Sequence, residues 1–244
     1  MAKKRRKIEV CFSPALFHTF RNPEAVAVII DILRATSAIV TAFHNGVERI
    51  IPVGTLEEAR AYKEKGYMVA AERDGLVRDF ADFGNSPFNF TRERVEGRQI
   101  VYSTTNGTQA IHVASECHQV LIGAYLNFTA LLDWLESQHR DVILLCAGWK
   151  NKFNLEDTLY AGAICTRLME TGNYRTICDS TLASMELWDR ARGDLMAYVE
   201  RVAQHERLKK NNLDDVIEYC HSFDITGVIP GLQGDHLKKL INMT

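Results

Sequence analysis

The sequence predicts an α/β fold, with a mainly parallel or mixed sheet, helices on both faces and a helical C-terminal third. Over the first two thirds, short apolar runs typical of strands alternate with amphipathic segments typical of helices. Several strands end at a polar residue and a hydroxyl-rich turn, as in sheets that bind ligands at their strand ends. The 244 residues, 46% hydrophobic and 25% charged, suit one globular domain over residues 1–244, and the sequence does not resolve a two-lobed subdivision.

Charge and cysteine usage narrow the function classes. A net charge of −2 argues against a general nucleic-acid binder, and the basic cluster Lys3–Lys7 predicts a disordered arm over residues 1–7. No apolar run approaches the length of a membrane span, so no membrane association is expected. The six cysteines are scattered without metal-ligand spacing, which predicts a reducing, cytoplasmic location. The sequence leaves a homo-oligomer open.

The stretch over residues 26–45 is the one around which the chain is organised. The apolar run Ala25–Ile30 predicts a strand that is buried on both faces and stops at Asp31. A periodic apolar segment then predicts a helix that ends at Asn45–Gly46, where glycine suits a helix C-terminus. The turn between the strand and the helix contains Asp31, Arg34, Thr36 and Ser37.

Two interpretations of this turn are open from the residues alone. Helix N-termini at strand ends favour anions, so an acid, an arginine and two hydroxyls fit a site for a metal ion and a phosphate. Alternatively, Thr36 and Ser37 only cap the helix, and Asp31 caps it or pairs with Arg34.

The remaining elements follow in alternation. Thr55, with Glu58 three residues later, has the capping-box pattern of a helix start. The long segment Leu76–Gly97 has no clear periodicity, and such loops are often functional. The tail Ile225–Ile241 indicates packing and no chemistry. The other predicted strands are Ile8–Phe12, Arg49–Val53, Tyr67–Ala71, Gln99–Ser103, Val120–Ala124 and Asp141–Ala147. The other predicted helices are Gln109–Glu116, Phe128–Gln138, Asn154–Thr171, Ser180–Arg192, Leu195–Leu208 and Asp214–Cys220.

The unit around Asp31 and the unit around Thr104 look like weak copies of one another. Each runs from a strand through a hydroxyl-rich turn and a helix to a second strand, a polar residue and a second helix. An internal duplication is therefore a hypothesis that the sequence suggests.

The signatures of several hydrolase and phosphoryl-transfer classes are absent from the sequence. It contains no Walker loop, no G-x-G-x-x-G, no cysteine–arginine phosphatase loop, no second aspartate two residues after Asp31 and no G-x-S-x-G elbow. What remains is a set of strand-end carboxylates, cations and hydroxyls, which are the groups that Mg²⁺ and a phosphate require. Glu156 and Asp157, in the first turn of a helix, also fit simple complementarity to the helix dipole.

These motifs resemble those of the 2-phosphosulfolactate phosphatase (ComB-like) family. Five short blocks occur in the family's order and at similar spacing between about residue 8 and residue 165. The sequence departs from the pattern at Ala71, where glycine is common, and at Asn154, where serine is common, and neither change removes a candidate ligand. The blocks are Asp31–Ser37, Glu72–Gly75, Gly84–Pro87, Thr104–Thr108, and Cys146–Gly148 with Leu155–Asp157.

The resemblance implies a magnesium-dependent phosphatase that releases phosphate from 2-phospho-3-sulfolactate, a step toward coenzyme M. The expected metal ligands are Asp31, Glu72, Glu156 and Asp157, and the ion would bridge phosphate oxygens and activate a water. The expected catalytic residues are Asp31, Arg34 and Glu72, with Arg34 neutralising phosphoryl charge. The expected substrate- and phosphate-binding residues are Thr36, Ser37, Arg73, Asn85, Ser86, Thr104, Thr105, Asn106, Gly107, Thr108, Lys150 and Lys152.

Attack by water is favoured over a covalent route through Asp31, because no second acid follows two residues later. Two rival functions share many of these motifs: a phosphatase for a different small phosphoester, and a non-catalytic module that binds an anionic metabolite. Mg²⁺-dependent phosphate release separates the binding module from both enzymes. We expect the site segments to line one cleft, because parallel β-α units bring successive strand ends to one edge of a sheet.

Overall fold

The computed structural model describes residues 5–240, and within that range eleven strands form one sheet. The strands are β1 (Arg6–Cys11), β2 (Val26–Ile30), β3 (Arg49–Pro52), β4 (Met68–Arg73), β5 (Leu76–Val77), β6 (Gln99–Ser103), β7 (Gln119–Gly123), β8 (Val142–Cys146), β9 (Tyr174–Arg175), β10 (Pro230–Gln233) and β11 (His236–Lys239). The α-helices are α1 (Ala35–His44), α2 (Leu56–Glu64), α3 (Arg92–Val95), α4 (Gly107–Val113), α5 (Phe128–Gln138), α6 (Leu155–Glu170), α7 (Asp179–Ala191), α8 (Leu195–Val199), α9 (Ala203–Lys210) and α10 (Ile217–Cys220). Short 3-10 helices cover Pro14–Thr19, Pro87–Asn89, Tyr125–Asn127 and Asp214–Val216.

The predicted α/β fold is confirmed, and local sequence signals account for much of it. Strand β2 is buried at every position, so both of its faces are covered, as its continuous apolar run predicts. The capping box at the start of α2 is present, because the Thr55 hydroxyl accepts from the Glu58 N–H at 3.1 Å and the Glu58 carboxylate accepts from the Thr55 N–H at 3.0 Å.

The sheet has an almost symmetrical strand order, β5-β4-β6-β3-β11-β10-β7-β2-β8-β1-β9. One parallel trio, β4-β6-β3, lies on one side of the β10–β11 hairpin, and a second, β7-β2-β8, lies on the other side. Three successive antiparallel pairings separate β3 from β7, so the two trios run in opposite senses. The sheet is therefore mixed, with most pairings parallel.

The two trios exchange their first strands. The chain runs β2-α1-β3-α2-β4 and later repeats the pattern as β6-α4-β7-α5-β8. Strand β6 of the second unit lies between β3 and β4 of the first, and β2 of the first unit lies between β7 and β8 of the second. This topology supports the hypothesis of an internal duplication, and it makes α1 and α4 the two crossings between the trios.

The tail forms the β10–β11 hairpin at the centre of the sheet, which differs from the packing segment that the sequence analysis predicted. Its two-residue loop, Gly234–Asp235, is a recognised hairpin signal, and Gly234 adopts a positive φ of 64°. Gly231 pairs with Leu121 of β7, and Leu237 pairs with Ile50 of β3. The prediction of a helical last third therefore holds only up to residue 220, apart from the short strand β9.

Two further predictions are corrected. The basic arm predicted over residues 1–7 falls partly outside the described residues, and Arg6–Lys7 belong to β1. The Arg6 guanidinium is buried against Tyr174, 4.6 Å from the ring centroid, which explains why a basic residue joins the sheet. The single helix predicted over Leu195–Leu208 is split into α8 and α9, because Val202 leaves the helical conformation and is buried in the core. Among residues 5–240, no helix has both the length and the apolar character that crossing a membrane requires.

Candidate functional site

The turn after β2 is held together by its own hydroxyls. The Thr36 hydroxyl accepts from the Asp31 N–H at 3.1 Å, and the Ser37 hydroxyl donates to the Ile32 carbonyl at 2.9 Å. One carboxylate oxygen of Asp31, Oδ1, accepts from the Ala35 N–H at 3.2 Å at the start of α1. The Thr36 and Ser37 hydroxyls therefore hold the turn and do not cap α1, while the Oδ2 of Asp31 receives no hydrogen bond from the described residues.

The turn after β6 lies against the first one. The Thr108 hydroxyl accepts from the Thr104 N–H at 3.4 Å, and the Thr104 hydroxyl accepts from the Thr108 N–H at 3.2 Å. Gly107 packs so closely that an added Cβ would lie 2.8 Å from the Ala35 Cβ and 3.0 Å from Asp31 Oδ2. The starts of α1 and α4 are thus in direct contact, and only glycine fits between them.

This contact corrects the reason for expecting one cleft. The ends of β2 and β6 meet although their trios run in opposite senses, so the shared edge of a single parallel sheet does not explain their proximity. They meet because α1 and α4, which cross between the trios, begin beside each other.

Glu72, in β4, is buried and tied to its surroundings. Its carboxylate accepts from the Gly75 N–H at 2.6 Å, from the Thr105 N–H at 2.7 Å and from the Thr105 hydroxyl at 3.1 Å. The Thr105 hydroxyl oxygen also accepts from the Asp74 N–H at 3.0 Å. Glu72 therefore connects the loop after β4 to the turn after β6.

Asp157, in the first turn of α6, connects three segments. Its carboxylate accepts from the Ile32 N–H at 2.9 Å, from the Gly148 N–H at 3.2 Å and from the Asn154 amide at 2.9 Å. The same Asn154 amide nitrogen donates to Glu156 Oε1 at 3.0 Å. Asn154 thus fixes both acids, which a serine hydroxyl with its single proton could not do at the same time.

The acids shift one another's titration. Burial, then the nearby Asp157 carboxylate, raises the pKa of Asp31 to about 8. Burial, then Glu156, raises the pKa of Asp157 to about 8. Burial raises the pKa of Glu156 to about 7, and the charge of Asp31 contributes. Together with Glu72, these groups form a buried cluster of carboxyls in which burial and mutual repulsion oppose full ionisation.

Arg34 is the buried cation of this cluster, with only 3% of its surface exposed. Its Nη2 donates to Asn85 Oδ1 at 2.8 Å and to the Gly75 carbonyl at 3.2 Å. Its Nη1 is buried and has no hydrogen-bond partner within the described chain. Burial lowers the pKa of the guanidinium, and Glu72 opposes that shift. A buried arginine N–H that has no hydrogen-bond partner can donate to an anionic ligand.

Other predicted residues are placed differently. Arg73 donates to the Glu72 carbonyl at 2.6 Å and to the Ser103 hydroxyl at 3.0 Å, so its guanidinium is hydrogen-bonded to residues of the sheet. Lys150 forms an exposed ion pair with Asp74 at 2.7 Å. Lys152 is exposed, and Ser86 accepts a hydrogen bond only at its backbone carbonyl among the described residues. The structure brings none of these four side chains into contact with Asp31.

Asn106 connects the second turn to the loop after β8. Its side-chain oxygen accepts from the Lys150 N–H at 2.9 Å.

Sequence reasoning missed two residues of α9 that lie near this loop, Gln204 and Arg207. Gln204 donates to the Leu33 carbonyl at 3.3 Å, and the Arg207 guanidinium lies 4.5 Å from the Trp149 ring centroid. No local signal marks them, because α9 is a polar helix far away in sequence.

The donor set fits a metal ion that is held by few protein ligands. Within residues 5–240, no three acidic, histidine or cysteine side chains are arranged as a complete metal cage. Mg²⁺ usually keeps several waters and takes one or two carboxylates plus phosphate oxygens. Asp31 Oδ2 and Glu156 Oε2 receive no hydrogen bond from the described chain, so they are the free donor atoms of the carboxyl cluster.

Comparison with known proteins gives a consistent family. A family model described as 2-phosphosulpholactate phosphatase matches residues 11–235. A protein of Thermotoga maritima named "Probable 2-phosphosulfolactate phosphatase" is 36% identical over 207 residues, which cover 84% of this chain and 88% of that protein. A protein of Clostridium acetobutylicum with the same name is 33% identical over 227 residues, covering 92% of this chain and 96% of that protein.

The match covers every segment of the site, from the turn after β2 to α9. Identity above 30% over more than four fifths of the chain excludes a likeness confined to one motif. The resemblance inferred from the short blocks is thereby confirmed. The chain belongs to the 2-phosphosulpholactate phosphatase family, whose members are phosphoric monoester hydrolases.

Proposed function

We propose that the protein catalyses the Mg²⁺-dependent hydrolysis of a small anionic phosphate monoester, 2-phospho-3-sulfolactate, to 3-sulfolactate and phosphate. The family and the names of its relatives support the reaction and the substrate. The buried acids and Arg34 support the metal ion and the phosphoryl site. The free thiols of all six cysteines support a reducing, cytoplasmic setting.

The observation that carries this proposal is the unpartnered Nη1 of Arg34. A buried donor without a partner costs about 1–3 kcal/mol, more when it is charged, so such a group is retained where a ligand completes it. Asn85 and the Gly75 carbonyl hold the other side of the guanidinium and aim it. A phosphoryl oxygen that accepts from Nη1 would receive a charge-assisted hydrogen bond and lose part of its negative charge to the arginine.

Asp31 and Glu156 would hold Mg²⁺ through their free oxygens, with Glu72 and Asp157 adding negative charge and fixing the surrounding loops. The ion supplies a Lewis acid and lowers the pKa of a bound water. Gly107 packs closely against Asp31 Oδ2 and covers one side of that carboxylate. The turn Thr104–Thr108, which Gly107 brings against Asp31, would offer backbone N–H groups to the phosphoryl oxygens.

The test is phosphate release from a panel of phosphoesters, measured with Mg²⁺ and with EDTA. We expect release from 2-phospho-3-sulfolactate only with the ion. Arg34→Gln should lower kcat/KM by about 10²–10³-fold, the usual loss for one donor to a developing oxyanion. Arg73→Gln is the matched control, because its donors are used within the sheet. Equal release with EDTA would remove the metal from the proposal, and binding without turnover would favour the anion-binding module.

A further inference from the structure

Helix α9 reaches from the C-terminal third onto the first turn of the site. The buried Gln204 side chain donates to the Leu33 carbonyl at 3.3 Å, one residue before Arg34. That contact joins positions 171 residues apart in sequence. The helix is therefore anchored next to the residue to which the phosphoryl group is assigned.

Arg207 lies one helical turn after Gln204 and on the same side of α9. Its Nη1 donates to Gln204 Oε1 at 2.6 Å, and its guanidinium carbon lies 4.5 Å from the Trp149 ring centroid. A stacked and hydrogen-bonded guanidinium is preorganised, so little conformational freedom remains to be lost when it binds a ligand. Trp149 belongs to the loop after β8, which Asn106 ties to the turn after β6.

The charge of Arg207 is not neutralised by a carboxylate within residues 5–240. No ion pair forms at this guanidinium, whereas the charge of Lys150 is used by Asp74 at 2.7 Å. The guanidinium lowers the pKa of the Glu156 carboxyl, so the two groups lie close enough to interact. Arg207 is half-buried. Its Nη1 donates to Gln204, whereas its Nε and Nη2 donate no hydrogen bond within the described chain.

We propose that Arg207 is the specificity-determining residue that binds the second anionic group of the substrate, its sulfonate or carboxylate. This inference deepens the proposed function and rests on it for the phosphoryl site. The planar fork of arginine matches two oxygens of a carboxylate or sulfonate, and Arg34 holds the phosphate nearby. A phosphate monoester without a second anionic group would form no ion pair with Arg207.

The test compares two substrates and two arginines. We expect Arg207→Gln to lower kcat/KM for 2-phospho-3-sulfolactate by about 30-fold or more, mainly through KM, and for p-nitrophenyl phosphate by less than about threefold. Arg207→Lys should restore part of the loss on the first substrate, because it returns the charge without the fork. Arg201→Gln is the matched control: that arginine also lies over an aromatic ring, Tyr198, at 4.4 Å, but is exposed, and it should change neither substrate.

A second measurement separates this inference from the proposed function. Calorimetric titration with 3-sulfolactate, which has no phosphate, needs no turnover, and Arg207→Gln should weaken its binding by about 30-fold. If wild type releases no phosphate but binds 3-sulfolactate through Arg207, the proposed function fails and the inference stands. Equal losses on both substrates, or 3-sulfolactate binding that is absent from wild type or insensitive to the substitution, would overturn the inference and leave the phosphatase assignment in place.

Discussion

The turn after β2 and the turn after β6 use the same hydrogen bond to begin a helix. In each, a threonine hydroxyl inside the helix accepts from the N–H of the first residue after the strand, Thr36 from Asp31 and Thr108 from Thr104. The strand order places the two turns in equivalent positions of the exchanged units. Their frameworks are therefore alike.

Their charged groups are not alike. In one trio Ile30 is level with Cys146, so Asp31 follows the central strand and the apolar Ala147 follows its neighbour. In the other trio Ala71 is level with Ser103, so the acid, Glu72, lies in the outer strand and the central strand leads to Thr104. The comparison teaches that the repeated scaffold brings two unlike turns together, one with a carboxylate, Asp31, and one with hydroxyls and a glycine, Gly107.

The largest effect is expected at Asp31. Asp31→Asn should lower kcat/KM by on the order of 10³-fold, because the carboxylate that we propose holds the metal ion is lost. The melting temperature should stay or rise, since asparagine also caps helices and no longer repels Asp157. Thr104→Ser at the equivalent position keeps the hydroxyl and should retain most of the phosphate release. Near-normal activity of Asp31→Asn would leave Asp31 with only its structural role.

The next effect tests the contact between the two turns. Gly107→Ala places a Cβ 2.8 Å from Ala35 and 3.0 Å from Asp31 Oδ2, so the turns must separate. We expect a loss of about 1–3 kcal/mol in the free energy of unfolding and about 10²-fold in kcat/KM. Gly193→Ala is the control, because nothing lies within 4 Å of its added Cβ. Unchanged activity would show that the close approach does not matter for catalysis.

The third prediction concerns how the titration of the buried acids makes the stability of the protein depend on pH. Without metal, Asp31 and Asp157, with pKa values of about 8, and Glu156, with about 7, bind more protons when folded than when unfolded. Their contribution to stability is complete below about pH 4 and is lost as pH rises toward 8, by up to about 1.4 kcal/mol per pH unit for each group. Urea unfolding in EDTA should therefore give lower stability at pH 8 than at pH 5.

The matched variant for that measurement is Asp31→Asn. It removes one titrating group, and its stability should fall less steeply with pH than that of wild type. A wild-type stability that rises from pH 5 to pH 8 would contradict the proposed proton uptake by the cluster.

A smaller effect on stability tests whether the hydroxyls of Thr36 and Thr108 support their turns equally. Thr36→Val and Thr108→Val each leave a buried N–H without its acceptor, which should cost about 1–3 kcal/mol in the free energy of unfolding. The two costs should be similar, because the Thr36 hydroxyl accepts the shorter bond, at 3.1 Å against 3.4 Å, but the Thr108 hydroxyl also donates to the Thr104 carbonyl at 3.2 Å. Thr19→Val, on the surface, is the control. If only one turn variant is destabilised, the turns are not equivalent supports.

The smallest effect is expected outside both turns. Asn154→Ser leaves one proton donor for two acids, so Glu156 or Asp157 loses its hydrogen bond. We expect the Mg²⁺ concentration for half-maximal phosphate release to rise by about tenfold, the lower end of the effect for residues that orient metal ligands. Asn154→Ala should raise it further. An unchanged Mg²⁺ requirement in both variants would show that the amide does not orient the acids.

Much of the local structure could be predicted from the sequence. The run before Asp31, the capping box at Thr55 and the helix Phe128–Gln138 depend on hydrophobic spacing and nearby hydrogen bonds. The candidate acids could be found because they follow predicted strands or open a predicted helix. Which carboxylate oxygens lack a hydrogen bond could not be predicted. The groups that bond to the Glu72 and Asp157 carboxylates come from segments far away in sequence.

By itself, the sequence determined the α/β alternation, the family and the candidate acids with Arg34, because each of these is encoded in a short window. Only the tertiary structure decided the exchange of β2 and β6, the position of the tail hairpin at the centre of the sheet, and the arrival of α9 beside the site. These depend on burying apolar surface between elements far apart along the chain. The contacts that Arg73 forms with Ser103, Lys150 with Asp74 and Arg207 with Trp149 could not be predicted either, because they depend on that long-range packing and no local pattern records them.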